Sequence, residues 1–375
     1  MAGKQVQYRV IAAYLEDGIV NRKFDPSRRL PSDMELARKF SASRPTVVRA
    51  MIELQNRGLV ERRVGSGTYI HPSVLDGGGA VRTQTVVGLI AAGLGHTEIL
   101  DPICAEITTQ CEAKGLVVFR GETALDDVNS TGFTVEQAEA LARRCVDRRV
   151  AGVFFAPLEL ADDRLAVNRR IAETLSAAGI GVVLLDREIA DYPEHGPYDL
   201  VGIDSFQASY ELGRHLLASG RRHIRFVALP RYPSTTDLRM AGLREAILNA
   251  GGECGRSWAR FGDPADPAFA RSLLEPERPE AIVCSNDRTA ALLMQTLASM
   301  DIRIPDDIAV AGFDDVRYAT LLSVPLTTMR QPCRQIGSAA VQLMLSRLQQ
   351  PELPARMVTL PATLVARRST AINVG

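Results

Sequence analysis

Residues 30–70 read LPSDMELARKFSASRPTVVRAMIELQNRGLVERRVGSGTYI, a pattern of helix, tight turn, helix and two-stranded wing. Leu30-Pro31 sets an extended entry. Ser32 followed three residues later by Glu35 is a capping box, so a helix starts at Asp33. Met34, Leu36, Ala37 and Phe40 share one face of it at helical spacing. Ser41-Ala42 leaves room only for a sharp turn. Ser43 suits an N-cap, and Pro45 suits the first turn, where no amide hydrogen is needed. A second helix is expected over about 44–56, with Val47, Ala50, Met51 and Leu54 facing the core. Gly58 ends it as a C′ glycine. Residues 59–63 and 68–70 then pair as a hairpin around the tip Val64-Gly65-Ser66-Gly67.

The second helix offers Ser43, Arg44 and Thr46 at its N-terminus. Helix N-termini favour phosphate, and arginine can read a guanine edge with two hydrogen bonds. The wing adds Arg62 and Arg63, and the backbone of Gly65-Ser66-Gly67 is free to approach a duplex closely. The run L-P-S-[ED]-x-E-L-A, S-R-x-T-V and G-L-[VL]-x-R-R-x-G-x-G-T-[YF] resembles the winged helix-turn-helix of GntR-family transcription regulators. The resemblance implies DNA contacts from Ser32, Ser43, Arg44, Pro45, Thr46, Arg49, Arg62, Arg63, Gly65, Ser66 and Gly67. Met34 stands where the family usually has arginine, and Val48 where it has arginine or asparagine, so neither is carried over. The alternative for these basic residues is a solvated face.

The whole chain has 375 residues and no net formal charge, but the charge is unevenly spread. Residues 1–70 hold 13 Lys/Arg against 7 Asp/Glu, and the remainder 31 against 37. A basic head on an acidic body suits a nucleic-acid module joined to something else. The six cysteines, Cys104, Cys111, Cys145, Cys254, Cys284 and Cys333, show neither disulfide nor zinc spacing and are expected as buried free thiols. The start MAGKQVQYRV has no hydrophobic signal region, and no apolar run is long enough for a membrane span. A cytoplasmic protein is expected.

Residues 7–21 look like a first helix of the head, and 72–84, with Gly77-Gly78-Gly79, like a flexible linker. From Thr85 strands alternate with helices. Strands are expected at 86–92, 116–121, 152–157, 181–186, 200–204, 224–229, 281–285 and 309–313. The helices between them are placed at 102–114, 135–148, 165–178, 207–219, 239–250 and 288–300. Such alternation makes parallel sheets covered on both faces. The strands are too many for one sheet, so two α/β lobes are expected, with ligand bound at the carboxyl ends of their strands. The fold class is thus a winged helix-turn-helix head (1–71), α+β, joined to an α/β body (85–370) of two parallel-sheet subdomains. The first takes about 85–198 and 332–356, the second about 199–331 and 357–370.

The segments GIGVVLLDRE, DLVGIDSFQASYELGRHLLASGRRHIRFVA, LRMAGLREAILNAG, PEAIVCSND, IPDDIAVAGFDD and PLTTMRQP are similar, in order and spacing, to the effector-binding domain of LacI-family repressors. That domain shares its fold with periplasmic sugar-binding proteins. The resemblance implies a polar ligand held at strand ends. Arg239 would begin the helix after IRFVAL, Thr235 lie in the loop before it, and Asn286 and Asp314 follow strands. Gln331 would sit at the last crossover. Leu100, Asp101, Ala156 and Asp186 would close the opposite wall. Asp287 and Asp315 are equally readable as caps, and Arg239 with Asp314 as a structural pair. Trp258 is read as a packing residue. The aromatic that the family places near Gly262-Asp263-Pro264 is read as missing.

The five histidines are dispersed, no Ser/His/Asp or phosphate-loop pattern appears, and no enzyme activity, metal or cofactor is expected. The expected function is a sequence-specific transcription regulator, a repressor, controlled by a sugar-like effector. Its expected partners are double-stranded operator DNA, that small molecule and a second copy in a homodimer, with no membrane. The alternatives are a regulator whose body is only a dimerisation scaffold, or a solute-binding protein.

Overall fold

Ser32 caps its helix as the sequence dictates. The head begins with α1 (Ala2–Val20), then α2 (Asp33–Lys39) and α3 (Arg44–Asn56) across a turn in which Ser41 adopts φ +48°. β1 (Val60–Arg63) and β2 (Gly67–Ile70) pair antiparallel, with Arg63 opposite Gly67. Ile11, Leu15, Leu36, Val47, Leu54, Leu59 and Ile70 form one buried core joining all three helices to the wing. These facts come from a computed structural model, which describes residues 2–20, 23–24, 29–56, 59–63, 67–70, 85–91, 98–120, 134–159 and 163–371. The linker expected at 72–84 and the wing tip at 64–66 lie outside them. The chain divides into two compact units, Met1–Thr85 and Val86–Gly375.

The body opens with β3 (Val86–Ile90), α4 (Leu100–Ala113), β4 (Val117–Arg120), α5 (Val135–Asp147) and β5 (Gly152–Phe155). It continues through α6 (Arg164–Ala177), β6 (Gly181–Leu185), β7 (Asp199–Ile203), α7 (Ser205–Ala218), β8 (Ile224–Ala228) and α8 (Ser234–Asn249). Then come β9 (Ala259–Phe261), α9 (Pro267–Ser272), β10 (Ala281–Cys284), α10 (Asp287–Ser299) and β11 (Ala309–Asp314). β12 (Thr327–Arg330), α11 (Cys333–Gln349), β13 (Met357–Leu360) and β14 (Thr363–Val365) complete it. The strands make two six-stranded sheets, in the orders β13-β7-β6-β5-β3-β4 and β14-β12-β11-β10-β8-β9. All pairings are parallel except β12 with β14. Runs such as GVFF and AIVC are buried throughout, as strands with helices on both faces require.

The lobe boundary differs from the sequence expectation. Residues 199–203 were assigned to the second lobe, yet β7 runs parallel to β6, with Val183 opposite Asp199. Residues 357–360, likewise assigned to the second lobe, pair as β13 with β7. Both strands belong to the first sheet. Apolar periodicity marks a buried strand but not which sheet it joins. A buried Asp199 does the selecting: Arg347 of α11 and Arg356 just before β13 both bind its carboxylate, at 2.9 and 3.2 Å. The chain therefore crosses between lobes after Ile203, after Arg330, and between Leu360 and Thr363. Gln331 lies at the second crossover, not the last. The helix expected from Arg239 starts five residues earlier, at Ser234, so Thr235 is in its first turn and Arg239 in its second. The run Ser-Thr-Thr-Asp reads as a loop because such side chains compete with backbone hydrogen bonds, but it also suits a helix start.

Close backbone approach seats α7 against α8. A Cβ on Gly242 would fall within the van der Waals radius of the Phe206 carbonyl oxygen. This crossing fixes where Arg239, one turn before Gly242, points.

Candidate functional site

In the head, Ser32 is engaged with its own helix. Its hydroxyl donates to Glu35 Oε2 at 2.9 Å and accepts from the Glu35 amide at 3.3 Å, while its amide donates to the same carboxylate at 2.7 Å. These bonds hold the Glu35 carboxyl below its ordinary range. Ser32→Ala is therefore expected to cost the head about 1 kcal/mol of stability in urea unfolding. An unchanged unfolding midpoint together with weakened operator binding would instead make Ser32 a phosphate contact.

At the start of α3, Ser43 and Thr46 share a 2.7 Å hydroxyl hydrogen bond, and the Thr46 amide donates to the Ser43 carbonyl at 2.9 Å. Thr46 is buried, so its hydroxyl orients Ser43, while Arg44 and Pro45 stand exposed beside it. Arg49 is exposed, and its guanidinium lies over the Tyr8 ring of α1 at 4.5 Å. Arg62 and Arg63 sit on β1 across from Thr68 and Gly67. Their side chains, with Gly65 and Ser66, lie outside the described residues. Gly67 has φ +124°, and a Cβ there would meet the Arg29 guanidinium at 3.1 Å, so glycine lets the wing close on the entry segment. The Leu30 amide donates to the Thr68 carbonyl at 2.9 Å across the same junction. Ser43, Arg44 and Pro45 thus stand exposed at one helix start, with Thr46 buried behind Ser43.

In the body, polar residues gather where strands of both sheets end. Asp186 follows β6 at φ +70°, Asp314 ends β11 at φ +107°, and Asp315 has φ +55°. Left-handed conformations in non-glycine residues cost roughly 1–3 kcal/mol each and concentrate at ligand sites. Arg239 donates from Nη1 to the Ser285 carbonyl, and its Nη2 lies 3.6 Å from Asp314 Oδ1. Its guanidinium also stacks on Phe313, 4.4 Å from the ring centre. Gln331 Nε2 donates to the same Asp314 oxygen at 2.8 Å. Asp186 Oδ2 accepts from Arg187 Nε at 2.9 Å, and Arg187 also reaches Glu159. Three buried polar atoms here have no partner: Asp186 Oδ1, Arg239 Nε and Gln331 Oε1. Unpaired buried polar atoms cost free energy, and together they mark a place prepared for something polar.

Burial pushes the Asp186 carboxyl up to about 7; Arg239 opposes this and Asp314 adds to it. Burial also raises Glu98, helped by the charges of Asp101 and Asp314. Asp287 is raised by burial and by Asp314, but it is structural. It accepts from the Thr328 hydroxyl at 2.6 Å and the Val316 amide at 3.0 Å, tying the start of α10 to the ends of β11 and β12. Asp315 is bound by Arg330 and Arg367.

Asp186, Arg239, Asp314 and Gln331 thus come together, and the other expected cleft residues play different parts. Asn286 caps α10, its side-chain oxygen accepting from the Thr289 amide at 2.8 Å. Leu100 is buried in the main core, and Asp101 is exposed in the first turn of α4. Ala156 is buried, its loop clamped by Asn168, which bonds both the amide and the carbonyl of Leu158. Thr235 is buried at the start of α8.

Two features escaped the sequence. Cys333 is only half-buried, as is Cys254, so not all the thiols are interior. Burial pushes the Cys333 thiol up to about 12, with Asp314 and Asp186 adding to the effect. An aromatic is present beside Gly262 after all: Phe261, half-exposed, stacks on Tyr232 at 5.3 Å where β8 and β9 end. Its place directly before Gly262 was the available signal. Trp258 packs on Phe226, with ring centres 6.3 Å apart. Among the described residues no helix is long and apolar enough to cross a membrane. None of their His, Cys, Asp and Glu side chains form a group able to hold a metal ion.

Residues 7–70 match the bacterial regulatory proteins of the gntR family, and residues 214–370 match the periplasmic binding protein-like domain. The arabinose metabolism transcriptional repressor of Geobacillus stearothermophilus is 28% identical over 349 residues, covering 88% of each chain. The HTH-type transcriptional repressor PurR of Photobacterium profundum is 28% identical over 245 residues, 64% of this chain and 70% of its own. Among solved structures, a complex of the transcriptional regulator CelR with cellobiose superposes with a TM-score of 0.63 at 23% identity, covering 87% of this chain and 90% of its own. With a capped α2, the exposed start of α3 and a wing in one unit and two parallel-sheet lobes in the other, the chain carries a gntR-family domain followed by a periplasmic binding protein-like domain.

Proposed function

We propose that this protein is a transcriptional repressor that binds a near-palindromic operator as a homodimer. Its operator affinity is set by a small polyol, a sugar or sugar derivative, held between the lobes. The observation that carries the effector half is the trio of unpartnered buried atoms around the Arg239–Asp314 pair. Nε and Nη2 lie on one edge of a guanidinium and donate in parallel. On Arg239, Nε has no partner and Nη2 stands beyond hydrogen-bond length from Asp314. A vicinal diol would accept from that edge and donate its two hydrogens among the oxygens of Asp314, Asp186 and Gln331, and a further hydroxyl of a polyol would serve the third, because each hydroxyl both donates and accepts. The similarity to a repressor of arabinose metabolism supports the same class of ligand.

Two-fold protein symmetry matches two half-sites, so two heads on one operator follow from dimerisation. A panel of sugars, sugar phosphates, sugar acids and nucleosides, screened by thermal shift, tests the effector half, since binding to the native state alone raises the melting temperature. A stabilising polyol that also changes operator affinity is expected. A stabiliser with no effect on operator binding would remove the regulatory role, and a panel without any stabiliser would remove the polyol.

Asp186 gives the binding a pH signature. The ionised carboxyl accepts a hydroxyl hydrogen more strongly than the protonated one, and burial raises its titration to about 7. Binding then releases a proton, so acid opposes it. Effector affinity is expected to fall as the pH drops from about 8 to about 6, and Asp186→Asn should flatten that slope. A pH-independent affinity in the wild-type protein would take Asp186 out of the contact.

A further inference from the structure

A pocket of about 350 Å³ lies at the pivot of the body, with Asp186 on its border. Its floor is one face of the edge strand β13 and its neighbour β7, where Leu200 and Gly202 pair with Met357 and Thr359. On this face α6 packs over β6, and the excursion 187–198 takes the place of a helix over β7 and β13. The opposite wall comes from the second lobe, through Ser205 at the start of α7 and Leu238 in α8. The size suits a small molecule, and the mostly apolar lining with a few polar points is the usual character of such sites.

Three observations define the occupant. Tyr192 and Met357, 49% and 46% exposed, both belong to the lining, so the pocket presents large apolar side chains that the fold leaves uncovered. Ser205, in the lining, is 1% exposed and its hydroxyl has no partner. The charges are one-sided: Asp186, Glu188, Glu194 and Asp204 face only Arg187 and His195. Arg187 is already held between Asp186 and Glu159. The two helix starts do not reverse this sign. Asp204 accepts from the Gln207 amide at 2.8 Å in α7, and Asp237 lies in the first turn of α8.

We propose that this pivot pocket is a second ligand site, separate from the Arg239 cleft, and that it takes a small organic amine with an apolar body. The ammonium group would donate to Ser205 Oγ among the carboxylates of Glu188, Glu194 and Asp204, leaving Asp186 Oδ1 to the cleft ligand, and the alkyl body would cover Leu200, Leu238, Tyr192 and Met357. Because the walls come from both lobes, an occupant that prefers one lobe angle shifts that equilibrium, and with it the affinity of the cleft.

Isothermal titration of the full chain, without sugar or DNA, compares isobutylamine with isobutanol and isobutyrate. The amine is protonated at neutral pH, as a lysine is. Saturable binding of the amine is expected, with the alcohol and the acid each at least about tenfold weaker. Ser205→Ala is expected to weaken the amine about tenfold, as loss of one buried hydrogen bond does. Leu238→Trp, which fills the pocket, should abolish amine binding and leave operator binding intact. If that variant fails to fold, Met357→Trp fills the pocket from the other lobe at its open rim. Equal binding of the three isosteres, no amine binding, or amine binding that survives a folded filling variant would each overturn the proposal. None of these outcomes depends on the cleft ligand.

Discussion

Replacing Arg239 with alanine is expected to abolish the effector response and to destabilise the body by about 3–5 kcal/mol, the scale for removing one partner of a buried ion pair. Operator binding by the unliganded protein should stay within about threefold of wild type, since Arg239 lies in the body and the DNA contacts lie in the head. The large stability effect follows from burial. Arg239 is 5% exposed, it donates to the Ser285 carbonyl, and its charge answers both Asp314 and Asp186. Alanine leaves Asp314 without its cation and Asp186 with Arg187 alone. Arg239→Lys separates stability from recognition. Lysine keeps the charge but lacks the parallel donors of the guanidinium edge. It should recover part of the stability without recovering ligand binding. Calorimetric unfolding and effector titration of the two variants read this out. A lysine variant with wild-type effector affinity would show that charge alone, not the forked edge, holds the ligand.

Arg44→Ala is expected to weaken operator binding by about 1–3 kcal/mol and to relax sequence preference at one position of each half-site. Arg44 is exposed at the start of α3, next to a Ser43 hydroxyl fixed by Thr46, and no fold role competes for it. Titrations over a range of salt decide between two kinds of contact. A base contact changes discrimination between operator and random DNA. A phosphate contact weakens both alike and reduces the salt slope by about one unit. Unchanged discrimination and unchanged slope together would remove Arg44 from the interface. Arg49 should matter less for affinity than its exposure suggests, because its guanidinium is already placed over Tyr8.

The head was legible almost to the residue because its signals are local. The Ser32–Glu35 box, Pro45 in a first turn and the paired arms of the wing each act over a few residues, and α2, α3, β1 and β2 form where those signals put them. The strands of the body were also legible, as runs of apolar residues. Their partners were not. β7 joins the first sheet by pairing with the preceding strand β6, and β13 joins it through β7 and the Arg347–Asp199–Arg356 cluster, contacts that span more than a hundred residues. Short elements such as β9 and α9 carry too little periodicity to stand out. In the cleft, resemblance supplied Asp186, Arg239, Asp314 and Gln331. It could not tell that the Asn286 oxygen is committed to a cap, that Asp287 braces two strand ends, or that Phe261 stands beside Gly262.

The central claim is that one small molecule in the cleft and one operator at the heads influence each other. Its most direct test is to measure effector affinity with and without saturating operator, and operator affinity with and without saturating effector. Linkage requires the two ratios to be equal, and a regulator of this kind is expected to give a common factor of about 5–150. A ligand that binds tightly while both ratios stay at one would contradict the account.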